Sequence, residues 1–208
     1  RAISEITDDM ASPLRMNRLL QGDVGSGKTL VALMALLRSV EAGGQGVLMA
    51  PTEILVQQHV ENLRPLGDKV GVVVESLTGR DKGKEREKKL KALRDGNIHI
   101  LIGTHALLNS EIPLNNLGLL VIDEEHRFGT KQKEIIKSRQ STTHILYMSA
   151  TPIPRTLNLV YSGLKDFSYL YSPPLERLSI KTFLNTQNLQ IIKNAIDREI
   201  SRGGQVFL

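Results

Sequence analysis

The chain has 208 residues, 40% hydrophobic and 24% charged, with a formal net charge of +5. That is ordinary globular composition, long enough for one sizeable α/β core, and it excludes a disordered chain as the starting assumption. The absence of cysteine excludes disulfide frameworks and thiolate metal sites.

No apolar run approaches the roughly 20 residues of a membrane span, and the opening Arg1-Ala2-Ile3-Ser4-Glu5 is no signal peptide, so the expectation is a cytoplasmic protein without a membrane partner. The positive balance suits an anionic partner. Aromatic residues make up 4% with no Trp, which argues against a reader that stacks single-stranded bases on aromatic platforms.

Short apolar runs alternate with amphipathic stretches along the chain, the pattern of repeated βαβ units. Leu19-Leu20 leads into a glycine-rich turn and a periodic helix over about 28–42, ended by Gly43-Gly44. A strand over 47–50 stops at Pro51, a helix follows over about 53–63, and a strand over 70–77. Residues 81–95 read as a charged helix, 98–102 as a strand, and 117–122 as a strand apolar enough to be covered on both faces. A polar helix over 131–137, a buried strand over 144–148 and a helix over about 155–161 complete the series.

After Gly163 the character changes. Residues 167–171 and 178–184 read as short extended segments around Ser172-Pro173-Pro174, followed by a helix over about 188–201 and a terminal strand. The expected fold is α/β: a parallel sheet with helices on both faces over residues 1–165. A linker over 166–185 and the βαβ-like beginning of a second domain over 186–208 follow. With no initiator Met and an end inside an apolar run, the chain is read as part of a longer protein.

Gly22-Asp23-Val24-Gly25-Ser26-Gly27-Lys28-Thr29 fits the phosphate-loop pattern G-x-x-x-x-G-K-[ST] between a strand and a helix. Its glycines let successive N–H groups turn toward phosphate oxygens, and the helix adds the positive end of its dipole. Lys28 would reach the β- and γ-phosphates of ATP, and the Thr29 hydroxyl would bind Mg²⁺.

The strand over 117–122 delivers Asp123 and Glu124 at its C-terminal edge, where ligands bind in open α/β sheets. Asp123 would complete the Mg²⁺ site, and Glu124 would orient or deprotonate the attacking water. Taken without the loop, Asp-Glu is equally a helix-start pair. The five histidines are scattered, with no H-E-x-x-H and no close pair, so none is read as a metal ligand.

Asp123-Glu124-Glu125-His126 forms a D-E-x-H box, and Ser149-Ala150-Thr151 follows about two dozen residues later. Together with the phosphate loop these resemble superfamily 2 helicases and translocases. Met16 to Gln21, Ala50-Pro51-Thr52-Glu53-Ile54-Leu55, Leu77-Thr78-Gly79 and Gly103-Thr104-His105-Ala106-Leu107 resemble the RecG branch. Asp123 to Gly129, Ser162 to Asp166, Lys181-Thr182-Phe183 and Arg202 to Val206 resemble the transcription-repair coupling factor branch, Mfd. The resemblance spans almost the whole chain and is to this pair of sister branches, the RecG/Mfd family.

The resemblance implies that the parallel sheet over 1–165 is RecA-like and that 186–208 begins a second RecA-like lobe. It also implies an ATP-dependent motor that moves on double-stranded or branched DNA in repair or recombination. Pro51, Thr52, Gly79, Arg80, Thr104 and His105 would then lie along one nucleic-acid strand. Small hydroxyl residues and backbone N–H groups at such turns hold phosphates without reading bases. Taken singly, each is an ordinary helix N-cap or turn residue.

Ser149 and Thr151 would link the nucleotide site to the DNA face, with His126 in the same network. Arg155 would sit near a lobe interface, or be a solvated first-turn residue. Arginines of a second lobe are expected after Leu208 and an adenine-recognition segment before Arg1, so the chain alone should bind ATP weakly and hydrolyse little. RNA polymerase would be a partner only through domains outside this stretch.

The run from Arg80 to Arg94 carries eight Lys or Arg against three acidic residues. It reads as a solvated, salt-bridged face, or else as a stripe tracking duplex phosphates. Two other classes of function remain open on the sequence: a non-catalytic binding remnant of such a motor, and a P-loop ATPase acting on protein.

Overall fold

The computed structural model describes residues 1–108, 112–114, 116–124, 127–139, 142–150, 166–171 and 182–207. Two compact units divide the chain, Arg1–Pro174 and Leu175–Leu208. In the first, strands β1 (Asn17–Gly22), β2 (Gln45–Met49), β3 (Val74–Leu77), β4 (Ile100–Gly103), β5 (Leu117–Asp123), β6 (His144–Ser149) and β7 (Asp166–Leu170) form one sheet. Their order is β3-β4-β2-β5-β6-β1-β7, and every pairing is parallel.

Parallel strands need crossover connections, and among the described residues those from β1 through to β6 carry a helix or a 3₁₀ turn. Helices α1 (Ala2–Ala11), α2 (Lys28–Glu41) and α3 (Glu53–Asp68) pack on one face. Helix α4 (Gly83–Arg94), a 3₁₀ turn at His105–Leu108 and α5 (Thr130–Arg139) serve the other. The strands read as continuous apolar runs because alternate side chains feed both layers. Leu119 and Val121 of β5 join the α2–α3 core, whereas Leu120 and Ile122 join the opposite one. Leu20, Leu36, Leu48, Ile100, Ile102 and Leu119 are fully buried, each contributing about 1.5–3 kcal/mol of transfer free energy.

The fold departs from the sequence reading in four places, three of them in the sheet unit. α1 lies where no element is expected. Its Ala2 and Ile6 are buried in the core shared with α2, a two-residue apolar anchor too short to show periodicity. α3 runs on through Pro65 to Asp68, so β3 starts at Val74 rather than residue 70. Gly67 makes this possible, because a Cβ there would press to 2.6 Å from the Val72 carbonyl oxygen.

The third departure is β7. Residues 167–171 are expected as an extended segment around the linker, and Asp166–Leu170 is in fact the edge strand of the sheet, beside β1. The cause is Arg18, buried on β1. Its guanidinium donates to Asp9 Oδ2 (2.6 Å), the Phe167 carbonyl (3.1 Å) and Ser168 Oγ (3.0 Å), and Ser168 Oγ in turn donates to Glu5 Oε2 (2.5 Å). That network ties α1, β1 and β7 together. The Ser168 hydrogen bond, aided by Arg1, holds the Glu5 carboxyl below the usual carboxylate range.

The second unit contributes α6 (Leu189–Ser201), N-capped by Asn188, whose side chain accepts from the Gln190 N–H at 2.9 Å. Among the described residues no helix is long and apolar enough to cross a membrane. The fourth departure lies in this second unit: the terminal strand expected after α6 is not formed, and residues 204–207 are without regular structure. The helix expected at 155–161 lies outside the described residues.

Candidate functional site

β1 ends at Gly22 and α2 begins at Lys28, so the glycine loop spans the turn between them. Gly25 (φ 78°) and Gly27 (φ 90°) occupy the left-handed region that L side chains resist. Gly27 is the N-cap of α2 and offers no side chain to the first turn. The helix N-terminus therefore keeps its N–H donors available to an anion. Ser26 Oγ is buried without a hydrogen-bond partner among the described residues, a polar atom awaiting one. Both features fit a phosphate chain.

Lys28 Nζ folds back to donate to the carbonyls of Gly22 (2.7 Å) and Asp23 (2.8 Å). Burial pulls its pKa below the usual lysine value, while the charges of Asp123, Glu124 and Asp23 pull it back up. Loop and β5 carboxylates thus share one electrostatic site. A cavity of about 390 Å³ opens beside the loop, lined by Gly25, Gly27, Lys28 and Thr29 with Asn62 and Leu66 of α3.

Asp123 closes β5, and its Oδ2 lies 2.9 Å from His59 Nε2. Glu124 follows with φ 52°, the one non-glycine residue with positive φ among those described. Such a conformation costs on the order of 1–3 kcal/mol and concentrates at functional positions. Its N–H donates to the Met148 carbonyl at 3.0 Å, and its Oε1 accepts from the Ala150 N–H at 3.3 Å. The segment after β6 thereby holds the residue after β5.

Hydroxyl and carboxylate oxygens at Thr29 and Asp123 suit a hard cation such as Mg²⁺. Among the described residues no cluster of three or more His, Cys, Asp or Glu could hold a metal alone. Mg²⁺ commonly binds through one or two protein oxygens together with substrate phosphates, and the donor set fits that mode.

The other half of the sheet edge carries the remaining candidates. β3, β4 and β2 are neighbours, so the turns after them stand side by side. Thr52 caps α3 by accepting from the Leu55 N–H at 3.3 Å, which leaves its own hydroxyl proton to donate. Arg80, 83% exposed, pairs with Glu53 at 2.8 Å across the two turns. Thr104 is buried, its carbonyl accepting from Leu107 N–H at 3.0 Å, and His105 opens the 3₁₀ turn. Pro51 and Gly79 lie in the same turns.

The structure therefore collects Gly22 to Thr29, Asp123, Glu124 and Ser149 at the ends of the adjacent strands β5, β6 and β1. Pro51, Thr52, Gly79, Arg80, Thr104 and His105 collect at the ends of β3, β4 and β2. His126, Thr151 and Arg155 lie outside the described residues. Within the basic run, Lys89 pairs off the helix with Asp81 (2.6 Å) and Glu75 (3.9 Å). Burial would raise the Asp81 carboxyl, but Lys89 and the Thr78 N–H together hold it below its usual range.

Sequence reading overlooks His59, dismissed there as one scattered histidine. The available signal is its spacing with Val56, Val60 and Leu63, which puts an imidazole inside the apolar stripe of α3.

A parallel sheet with a phosphate loop after β1 and an acidic pair after β5 defines a RecA-like P-loop domain. Residues 1–160 match the family model described as DEAD/DEAH box helicase. The chain is 47% identical over 206 residues to the transcription-repair-coupling factor of Haemophilus influenzae, covering 99% of this chain and 18% of that protein. It is 44% identical over 209 residues to the ATP-dependent DNA helicase RecG of Bacillus subtilis, covering 100% of this chain and 31% of that one.

The solved structure of RecG bound to a three-way DNA junction superposes with a TM-score of 0.81 at 41% identity, covering 99% of this chain and 28% of that chain. The chain belongs to the DEAD/DEAH box helicase family, and RecG helicases and transcription-repair-coupling factors are its relatives within it. It spans less than a third of the length of either curated relative.

Proposed function

We propose that this chain is the ATP-binding lobe of a cytoplasmic DNA translocase that couples ATP hydrolysis to movement on double-stranded or branched DNA. The observation that carries the reading is the division of one sheet edge. A nucleotide half at β5, β6 and β1 adjoins a half of hydroxyl-bearing and basic turns at β3, β4 and β2. Bound ATP supplies the transferable phosphoryl group, and Mg²⁺ neutralises charge on it.

Lys28 leaves the Gly22 and Asp23 carbonyls to meet the phosphates, and the N–H groups of the loop cradle them. Thr29 and Asp123 hold the cation, and Glu124 orients the attacking water. Pro51, Thr52, Gly79, Arg80, Thr104 and His105 contact one strand's backbone. Residues 186–208 open a second RecA-like lobe, whose arginines complete hydrolysis. Ser149, with Thr151, His126 and Arg155, couples the two halves. RNA polymerase is a partner through domains outside this stretch if the protein follows the coupling-factor branch.

The test is ATP turnover by the protein carrying this chain, with and without branched duplex DNA. Turnover should rise with DNA and vanish in Lys28→Ala. Turnover indifferent to DNA would overturn the DNA half of the proposal and favour a protein substrate. Full cellular function in Lys28→Ala would indicate a binding module without catalysis.

A further inference from the structure

Helix α3 carries an imidazole on its buried face. His59 is 7% exposed and lies in the stripe formed by Val56, Val60 and Leu63. Its Nε2 stands 2.9 Å from Asp123 Oδ2, and both side chains are largely withdrawn from water, at 9% and 13%. An ionised carboxylate only accepts, so Nε2–H is the donor and the tautomer follows from that. A carboxylate at a strand end can otherwise rotate about two side-chain bonds. One short hydrogen bond from a buried ring fixes its plane and leaves Oδ1 for other partners.

We infer that His59 is a positioning residue for Asp123, holding the carboxylate in the orientation that receives the magnesium-bound nucleotide. The inference rests on the reading of Asp123 as the cation-side carboxylate. It gives α3 two roles. The helix is capped at Thr52, in the half of the edge assigned to DNA, and reaches the nucleotide half at His59, about 10 Å further along its axis. Asn62 and Leu66, one and two turns on, line the cavity beside the phosphate loop. α3 thus flanks the nucleotide site over two turns.

The test is the Mg²⁺ dependence of fluorescent ADP binding in the full chain, for wild type, His59→Ala, His59→Gln and Asp123→Asn, with thermal unfolding measured in parallel. His59→Ala should raise the Mg²⁺ concentration for half-maximal binding about tenfold, the scale of losing a partner that orients a metal ligand. His59→Gln, whose amide nitrogen can stand near Nε2, should recover most of that loss.

Unchanged Mg²⁺ dependence in His59→Ala overturns the inference. Equal losses in the Ala and Gln variants, tracking a lower unfolding temperature, also overturn it and leave His59 as packing. If His59→Ala does not fold, the Gln variant decides alone: near-wild-type Mg²⁺ dependence supports positioning, and a shifted one in a stably folded chain refutes it. Magnesium-dependent binding that survives in Asp123→Asn would remove the underlying reading of Asp123, whatever His59 does.

Discussion

The Ala150 N–H donates to Glu124 Oε1 across 3.3 Å, so the first residue after β6 holds the carboxylate that follows β5. Glu124 meets it from a left-handed backbone with φ 52°. A strained residue pinned from a neighbouring strand is preorganised, which is what a water-orienting group requires.

Glu124→Gln keeps the side-chain shape and an oxygen for the Ala150 N–H but removes the charge and the basicity. Nucleotide affinity should stay near wild type while ATP turnover falls by about 10²–10⁴-fold, the range of a lost general base. Equilibrium binding and single-turnover hydrolysis, measured together, separate the two effects.

Arg80 tests the other half of the edge. Its pair with Glu53 is solvent-exposed, so Arg80→Ala should change unfolding free energy by less than about 0.5 kcal/mol. DNA affinity should fall alike for different sequences, with the slope of log affinity against log salt reduced by about 1. Salt titrations on two unrelated DNA sequences check both statements.

Arg18 is the polar centre of the α1–β1–β7 junction. Arg18→Met leaves Asp9 without its cation and Glu5 with Arg1 alone, and it removes the donor to the Phe167 carbonyl and Ser168 Oγ. Because both acids are partly exposed they can rehydrate, so the loss should be about 2–3 kcal/mol, below the full cost of breaking a buried pair. For a domain of this size that is a fall in Tm of about 5–10 °C by differential scanning calorimetry.

His144 makes stability pH-dependent. Its Nδ1 accepts from the Met16 N–H at 3.0 Å, and its Nε2 lies 3.1 Å from the Arg15 guanidinium. Burial, then Arg15, lowers its pKa below 6.5, against a smaller opposing pull from Asp9. Below pH 6.5 the unfolded chain binds this proton first. The contribution is therefore full above 6.5 and is lost as pH falls through the depressed folded value. His144→Gln should flatten the decline in Tm between pH 7.5 and 5 relative to wild type.

The strands β1, β2, β4, β5 and β6 were legible in the sequence because strands buried on both faces form continuous apolar runs. The helix α2 was legible from its period and its Gly43-Gly44 stop. The phosphate loop was legible for a different reason: it is local, eight consecutive residues whose backbone conformation follows from where glycine stands. Asp123 and Glu124 were legible by position, at the end of an apolar strand.

What required the tertiary structure is everything that joins residues far apart in the chain. β7 belongs to the sheet because Arg18 reaches 149 and 150 positions ahead to Phe167 and Ser168. His59 matters because α3 brings it to Asp123, 64 positions away, and one histidine in an apolar stripe looks the same whether it meets a carboxylate or a carbonyl. Local sequence sets the phosphate loop by backbone preference. The company that loop keeps depends on strand order, which no short stretch of residues encodes.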